Sequence, residues 1–463
     1  MAFEIENGII RRYVGAEEEV RVPEGVTAIF DNAFSESKHV KRIILPAGLK
    51  SVGHWAFNRC QLLESVALPE GLESIGRSAF RSCIRLRDIA LPPTLTTLGG
   101  KAFEFCKSIK RLELPSGIRE IGDKTFSNCS ALCAVTIPDG VVRIGGWAFE
   151  GCVGLETITL PDSVASIGEG AFLDCTGLET VTVGKGVQTV GGDAFAGAPW
   201  LEDDPGDFFA INGNLLRYTG RAKWVMVPTS ITAVCAEVFE RCREMEGVVL
   251  PDSVTRIGDG SFEGCPALRR AELHSRITEL GNGVFELCKA LDYVVVRGLL
   301  AGVNRTAPAW RAHTALYGNT CTALTVYLPV SCGASFRTVF HADGQGVHAL
   351  FSRYFSLFQK IDDTDAKVLM ALERLVSPYL PESGEMEAYR SFLTEHLREA
   401  MRLFLARADL LPVRALGALG LIGEDAIGDL TQMAAEAKHT EISAYLLAYK
   451  REHFGFHAPT FDL

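Results

Sequence analysis

The stretch Leu155-Glu156-Thr157-Ile158-Thr159-Leu160-Pro161-Asp162-Ser163-Val164-Ala165-Ser166-Ile167-Gly168-Glu169-Gly170-Ala171-Phe172-Leu173-Asp174-Cys175 is one copy of a pattern that fills most of the chain. Phe172 belongs to a series, Phe34, Phe57, Phe80, Phe103, Phe126, Phe149, Phe172 and Phe195, with a constant interval of 23 residues, and the interval returns at Phe239, Phe262 and Phe285. A fixed period of this length marks an array of stacked units. Six residues after each Phe comes an aliphatic such as Leu63, Leu86 or Leu132, and nine and eleven after it come pairs such as Val66/Leu68, Ile89/Leu91 and Ile158/Leu160. Alternation of this kind predicts a short strand with one face inward. A proline follows (Pro69, Pro92, Pro115, Pro138, Pro161, Pro251) and ends the strand, because it cannot donate to a ladder. The aliphatic-x-x-Ile-Gly segment, as at Leu72 to Gly76, predicts a second short extended stretch whose Gly permits a tight turn.

No such unit can bury its apolar side alone, so the coils must stack and the ends need caps. One cap motif occurs twice: Asn7-Gly8-Ile9-Ile10-Arg11-Arg12-Tyr13-Val14-Gly15 aligns with Asn212-Gly213-Asn214-Leu215-Leu216-Arg217-Tyr218-Thr219-Gly220 at an offset of 205, which also carries Pro23 onto Pro228 and Phe34 onto Phe239. Asn-Gly between apolar runs predicts a β-hairpin. The fold expected is an α+β repeat protein: a β-solenoid with short parallel strands in each 23-residue coil, then an all-α end. The domains expected are 1–198 (hairpin cap and first sub-array), 199–345 (irregular join, second hairpin and second sub-array) and 346–463 (helical). Trp200, Phe208, Phe209, Tyr218 and Trp224 gather near the join and predict a small aromatic core there, with any exposed subset a candidate hot spot for a partner.

After Val296 the period fails; Thr325 to Pro329 reads as a last strand-Pro unit after a degenerate stretch containing Trp310, and Gly344-Gln345-Gly346 marks a boundary. Beyond it Leu350, Tyr354, Leu357 and Ile361 fall on one helical face. Asp363 or Thr364 caps the helix carrying Val368, Leu369, Leu372 and Leu375, Ser383 opens a long helix toward Leu405, and Asp425–Lys438 with Thr440–His453 predict a helical hairpin. About six helices are expected in all.

The repeated Leu-x-x-Ile-x-Leu-Pro-x-x-Val-x-x-Ile-Gly-x-x-Ala-Phe-x-x-Cys pattern resembles the BspA-like leucine-rich repeats over residues 20–297, and the Asn-Gly-x-Leu-Leu-x-Tyr-x-Gly insert resembles one common in such arrays. The segment Glu441 to Lys450 is similar to ankyrin-like helix pairs. The resemblance implies a solenoid that binds other macromolecules; family members include bacterial surface proteins that adhere to host proteins.

The bulk figures fit a soluble globular protein. A chain of 463 residues with 47% hydrophobic and 22% charged residues has enough apolar content to fold, and a formal net charge of -11 argues against a nucleic-acid partner. No apolar segment approaches the ~20 residues that span a bilayer, so membrane insertion is not expected. The N-terminus has neither the basic start nor the apolar run of a secretory signal. The chain reads as cytoplasmic, with a secreted or cell-surface adhesin as the alternative.

Chemistry-bearing residues are sparse. Cys60, Cys83, Cys106, Cys129, Cys152, Cys175, Cys242, Cys265 and Cys288 each lie three residues after a repeat Phe. A ladder along a solenoid diverges, whereas zinc needs converging ligands, so these thiols read as small buried hydrophobes. Unpaired, they fit a reducing compartment. Cys129-x-x-x-Cys133 is a close pair with no further ligands nearby, and Asp362-Asp363-x-Asp365 lacks the glycine and spacing of a calcium loop. The ten His show no metal-binding spacing, and no nucleophile elbow or phosphate loop occurs. No catalytic residue, cofactor or metal is therefore expected. What remains is surface: the outward positions eight and ten residues after Phe, represented by Asp88, Arg111, Glu113, Thr157, Thr159, Thr180, Thr182, Arg270, Glu272 and Tyr293, form the candidate partner-binding panel. The reading is a non-enzymatic interaction scaffold, with a site in the helical region as the remote enzymatic alternative.

Overall fold

Each 23-residue period closes into one coil that is hydrogen-bonded to its neighbours along three rows, as the computed structural model shows over residues 3–297, 324–328, 340–343, 346–349, 351–377 and 383–455. The chain divides into two compact units, Met1–Gly220 with Ile231–Val238, and Arg221–Ser230 with Phe239–Leu463.

In the first unit the row after each Leu runs through the parallel strands Glu19–Arg21, Arg42–Ile44, Ser65–Ala67 and Asp88–Ile89, then Arg111–Glu113 with Ala134–Thr136, and Thr157–Leu160 with Thr180–Val183. Partners sit 23 residues apart, so Ile43, Val66 and Ile89 align. The proline that follows each strand turns the chain; the Pro69 carbonyl accepts from the Leu72 amide at 3.1 Å. A second row stacks the two-residue strands Ala28–Ile29, Ser51–Val52, Ser74–Ile75 and Thr97–Leu98. The third row is the Ala-Phe turn, where the Phe57, Phe80 and Phe126 amides donate to Ala79, Ala102 and Ala148 of the next coil at 2.7–2.8 Å.

That third row depends on left-handed backbone. The residues two before and two after each Phe have positive φ, as at Trp55 (52°) and Arg59 (58°), Lys101 (61°) and Phe105 (62°), and Trp147 (54°) and Gly151 (65°). Amides therefore alternate: Trp55, Phe57 and Arg59 donate to the next coil, whereas Asn58 and Cys60 donate within their own. The glycine after the second strand has a different role from the tight turn expected of it. Gly76, Gly99 and Gly168 are absent from the positive-φ positions; they are glycine because coils approach closely there. A Cβ on Gly168 would stand 2.5 Å from the Gly146 nitrogen, and one on Gly99 would stand 2.4 Å from that of Arg77.

Inside, the Phe side chains form a continuous stack. Ring centroids from Phe34 to Phe195 follow at 4.9–5.7 Å, with successive planes tilted by 30° or less. Tyr13 closes the stack at one end, 4.9 Å from Phe34, and Trp200 meets Phe195 edge-on at the other. Beside it runs the cysteine ladder. Each thiol donates to the Phe carbonyl of the coil before: Cys60 to Phe34, Cys83 to Phe57, and Cys129 to Phe103 at 3.1–3.2 Å. Burial pushes the Cys60 and Cys175 thiols up to about 12 and raises those between them, so at neutral pH they stay protonated. All the described cysteines are free. Cys133 stands apart: its half-exposed thiol donates to the Lys110 carbonyl, away from buried Cys129.

Both Asn-Gly hairpins form. Phe3–Glu6 pairs antiparallel with Ile9–Tyr13, and Phe208–Ile211 with Asn214–Tyr218. Asn7 and Gly8 (φ 52° and 74°), like Asn212 and Gly213 (47° and 83°), supply the two left-handed residues of a type I′ turn. Even the bulge recurs, at Glu4/Ile5 and Phe209/Ala210. The irregular segment between includes one helical turn, α1 (Pro199–Glu202), and Arg217 binds it through the Glu202 and Asp204 carbonyls.

The second unit repeats the architecture through the parallel strands Trp224–Met226, Gly247–Val249, Arg270–His274 and Tyr293–Arg297. Phe239, Phe262 and Phe285 stack as before, 4.7 and 5.2 Å apart. The last strand departs from the expected strand-Pro coil: Leu324–Tyr327 runs antiparallel to Tyr293–Arg297, pairing the edge that a further parallel coil would otherwise have occupied. Trp310, Pro329, Gly344, Gln345 and Leu350 lie outside the described residues.

The helices are α2 (Phe351–Lys360), α3 (Thr364–Val376), α4 (Ser383–Glu395), α5 (Leu397–Ala406), α6 (Leu410–Ala418), α7 (Glu424–Glu436) and α8 (Thr440–His453). Asp363 caps α3 by accepting from the Ala366 amide at 2.9 Å. The long helix expected from Ser383 to Leu405 is instead α4 and α5, separated at His396, whose φ of -111° and ψ of 30° leave the helical region. α7 and α8 form the expected hairpin.

Two outcomes test these assignments. Gly168→Ala should destabilise the chain by about 1–3 kcal/mol, as overpacking does, whereas Lys101→Gly should stabilise it by about 1 kcal/mol by removing left-handed strain; urea melts measure both, and the opposite order would refute the roles given. In native protein, iodoacetamide should modify Cys133 and leave Cys83, Cys106 and Cys129 untouched until urea unfolds the chain. Peptide mapping reads this, and labelling of Cys106 in folded protein would contradict the ladder.

Candidate functional site

Strand alternation turns the residues eight and ten after each Phe away from the interior, and stacking at the same register sets them side by side from coil to coil, about 4.8 Å apart. In the first unit Asp88, Arg111, Glu113, Thr157, Thr159, Thr180 and Thr182 are all exposed on this face. Thr157 pairs with Thr180 and Thr159 with Thr182, so the four hydroxyls form a two-by-two block.

The second unit treats the same face differently. Arg270 and Glu272 are half-buried and paired with each other at 2.9 Å. Tyr293 is half-buried too, its ring 5.5 Å from that of Tyr327; burial raises its phenol, with Glu373 of α3 and Arg407 beyond α5 in its electrostatic surroundings. The helical end thus covers the last coils of this face, whereas its first strand is open: Trp224 is 52% exposed and Met226 65%. The Trp224 indole lies over Gly247, where a Cβ would come within 2.5 Å of the ring.

The aromatic core expected at the join forms without Trp224. Trp200 meets Phe209 at 5.1 Å, Phe208 meets Tyr218 at 4.9 Å, and Arg217 lies 6.0 Å from the Phe209 ring. The signal for Trp224 was present in the offset of 205, which carries Glu19 and Arg21, both outward, onto Trp224 and Met226.

Charge on the coils is organised by the same register. Glu18–Lys41, Glu19–Arg42, Glu36–Arg59, Lys50–Glu73, Glu64–Arg87 and Lys223–Glu246 are ion pairs at 2.7–3.1 Å, each linking a residue to the one 23 positions on. Such exposed pairs are individually weak and screened by salt.

No group of three or more His, Cys, Asp or Glu placed to hold a metal occurs among the described residues. The acidic run at Asp362 to Asp365 includes the α3 cap. A 490 Å³ hollow between α5 and α7 is lined by Arg398, Arg402, Leu405, Ala406, Met433, Glu436 and Ala437, with no thiol, hydroxyl or imidazole among them. Among the described residues no helix is long and apolar enough to cross a membrane.

Comparison with known proteins agrees with the repeat. The chain matches the BspA type leucine rich repeat region over residues 13–133, 100–203 and 210–307. No curated protein matches it. Among solved structures it is similar to a leucine rich cell surface protein from Faecalibacterium prausnitzii (30% identity, 61% of this chain and 76% of that one, TM-score 0.41). It is also similar to a leucine-rich repeat protein from Bacteroides ovatus (23%, 62% and 76%, 0.43) and to the leucine rich repeat protein of T. pallidum (26%, 42% and 81%, 0.32). The repeat match spans more than half of the chain, and the chain belongs to the BspA-type leucine-rich repeat family.

Proposed function

We propose that this protein is a non-enzymatic scaffold that binds a protein partner through its outer strand face. The observation that carries the reading is the open strand Trp224–Met226, where two large apolar side chains stand exposed above a parallel hydrogen-bonded ladder. Exposed apolar anchors on a rigid support are what a protein interface needs at its centre, and Trp is enriched at such points. Asp88, Arg111, Glu113, Thr157, Thr159, Thr180 and Thr182 offer the polar contacts on the equivalent face of the first unit; in the second unit Arg270 and Glu272 are half-buried and paired with each other, and Tyr293 is half-buried near the helical end, so they contribute less. Leucine-rich repeat proteins typically mediate protein interaction, which supports the same reading.

We place the protein in a reducing compartment. Cys133, free and half-exposed, supports this over the cell surface, because the buried ladder thiols would resist oxidation anywhere.

The test compares the intact chain with a Trp224→Ser/Met226→Ser variant as bait in affinity capture. A protein held by the intact chain and reduced about tenfold or more with the variant, at unchanged thermal stability, is the expected result. Equal capture by both, or capture of nothing specific by either, would overturn the assignment.

A further inference from the structure

The residue seven after each Phe forms a row along one edge of the outer strand face of the first unit. Its register is held by backbone hydrogen bonds: Lys41 to Glu18, Glu64 to Lys41, Arg87 to Glu64, Cys133 to Lys110 and Glu179 to Glu156, at 2.7–3.0 Å. Through the early coils the row alternates in sign, Glu18, Lys41, Glu64, Arg87, and neighbours pair. Then alternation stops. Lys110 follows Arg87, Cys133 is neutral, and Glu156 is followed by Glu179. Lys110, Glu156 and Glu179 are exposed and have no ion-pair partner among the described residues. Two cations and then two anions, each pair stacked one coil apart, repel within the chain.

We infer that this stretch is a self-complementary surface on which a second copy of the chain docks. The order from Arg87 to Glu179 is positive, positive, neutral, negative, negative, and it inverts about Cys133. Two copies facing each other with rows antiparallel, related by a twofold axis level with Cys133, set Lys110 opposite Glu156 of the partner copy and Arg87 opposite its Glu179. The neighbouring row agrees, since Arg111 then faces Thr157 and Asp88 faces Thr180, so no directly opposed positions of the two rows carry like charges; Arg87 is also paired within its own copy to Glu64 and Asp88, which leaves Lys110 and Glu156 as the main contact. A twofold contact requires this kind of self-complementarity. The inference rests on the reading that the outer strand face is the binding face, and names the occupant of one part of it. Five coils span about 20 Å, so the contact is small and charge-dominated. It should be weak, fast to form and sensitive to salt.

Two full-length variants test this, Arg87→Glu/Lys110→Glu and Glu156→Lys/Glu179→Lys, studied by sedimentation velocity at low salt. The wild type should self-associate, and added salt should dissociate it. Each variant alone should weaken self-association about tenfold or more, because all its opposing charges are then alike. An equimolar mixture of the two should associate again, because every opposing pair is restored. A short bismaleimide should link wild-type copies through Cys133, and Cys133→Ser should abolish the link without abolishing association. A monomeric wild type, self-association unaffected in both variants, or a mixture that stays monomeric would each overturn the inference. A monomeric wild type that still captures a partner through Trp224 and Met226 would do so while leaving the proposed function standing.

Discussion

The solenoid depends on holding successive coils in register at 23 residues. The register is enforced from inside, by Phe rings stacked at 4.9–5.7 Å from Phe34 to Phe195, and from the backbone, by the left-handed residues that aim alternate amides at the next coil. Each left-handed residue with a side chain costs about 1–2 kcal/mol. The intercoil hydrogen bonds return about 0.5–1.5 kcal/mol each, and burial of a Phe side chain contributes about 1.5–3 kcal/mol. The strain is tolerable only because the stack buries what it straightens.

Close approach then dictates what each position can be. Where coils meet backbone to backbone, only glycine fits, as at Gly99 and Gly168. Where a small side chain must fill space and satisfy a neighbouring carbonyl, cysteine does both, as Cys83 does toward Phe57. The interior is thereby committed to packing, and its thiols are held in their neutral form. Variation is left to the outward positions, which is where the proposed anchors Trp224 and Met226 stand in the second unit and the Lys110–Glu179 row in the first.

Much of this was legible beforehand. The strand row, the proline stops, the paired hairpins and the buried cysteine ladder all follow from residue types recurring in step. The left-handed positions were not, because Trp55, Lys101 and Arg59 occupy them without any compositional mark; the intercoil hydrogen bonds select the conformation there. Which member of the aromatic cluster stands exposed is written less plainly: Trp224 is near Trp200 and Phe209 in sequence, but the offset of 205 makes it the equivalent of outward Glu19. The break at His396 carries no mark in the sequence, since apolar spacing runs through it unchanged. Coverage of Tyr293 depends on where the helices pack, which no periodicity encodes.

Native-state hydrogen exchange of the first unit tests the central claim most directly. If register between coils is what holds the array, the Phe57, Phe80, Phe103 and Phe126 amides, each bonded to the next coil, should open together with one shared free energy, and protection should fall only toward the ends. Coil-by-coil opening, with mid-array amides exchanging independently and as fast as that of Phe34, would contradict it.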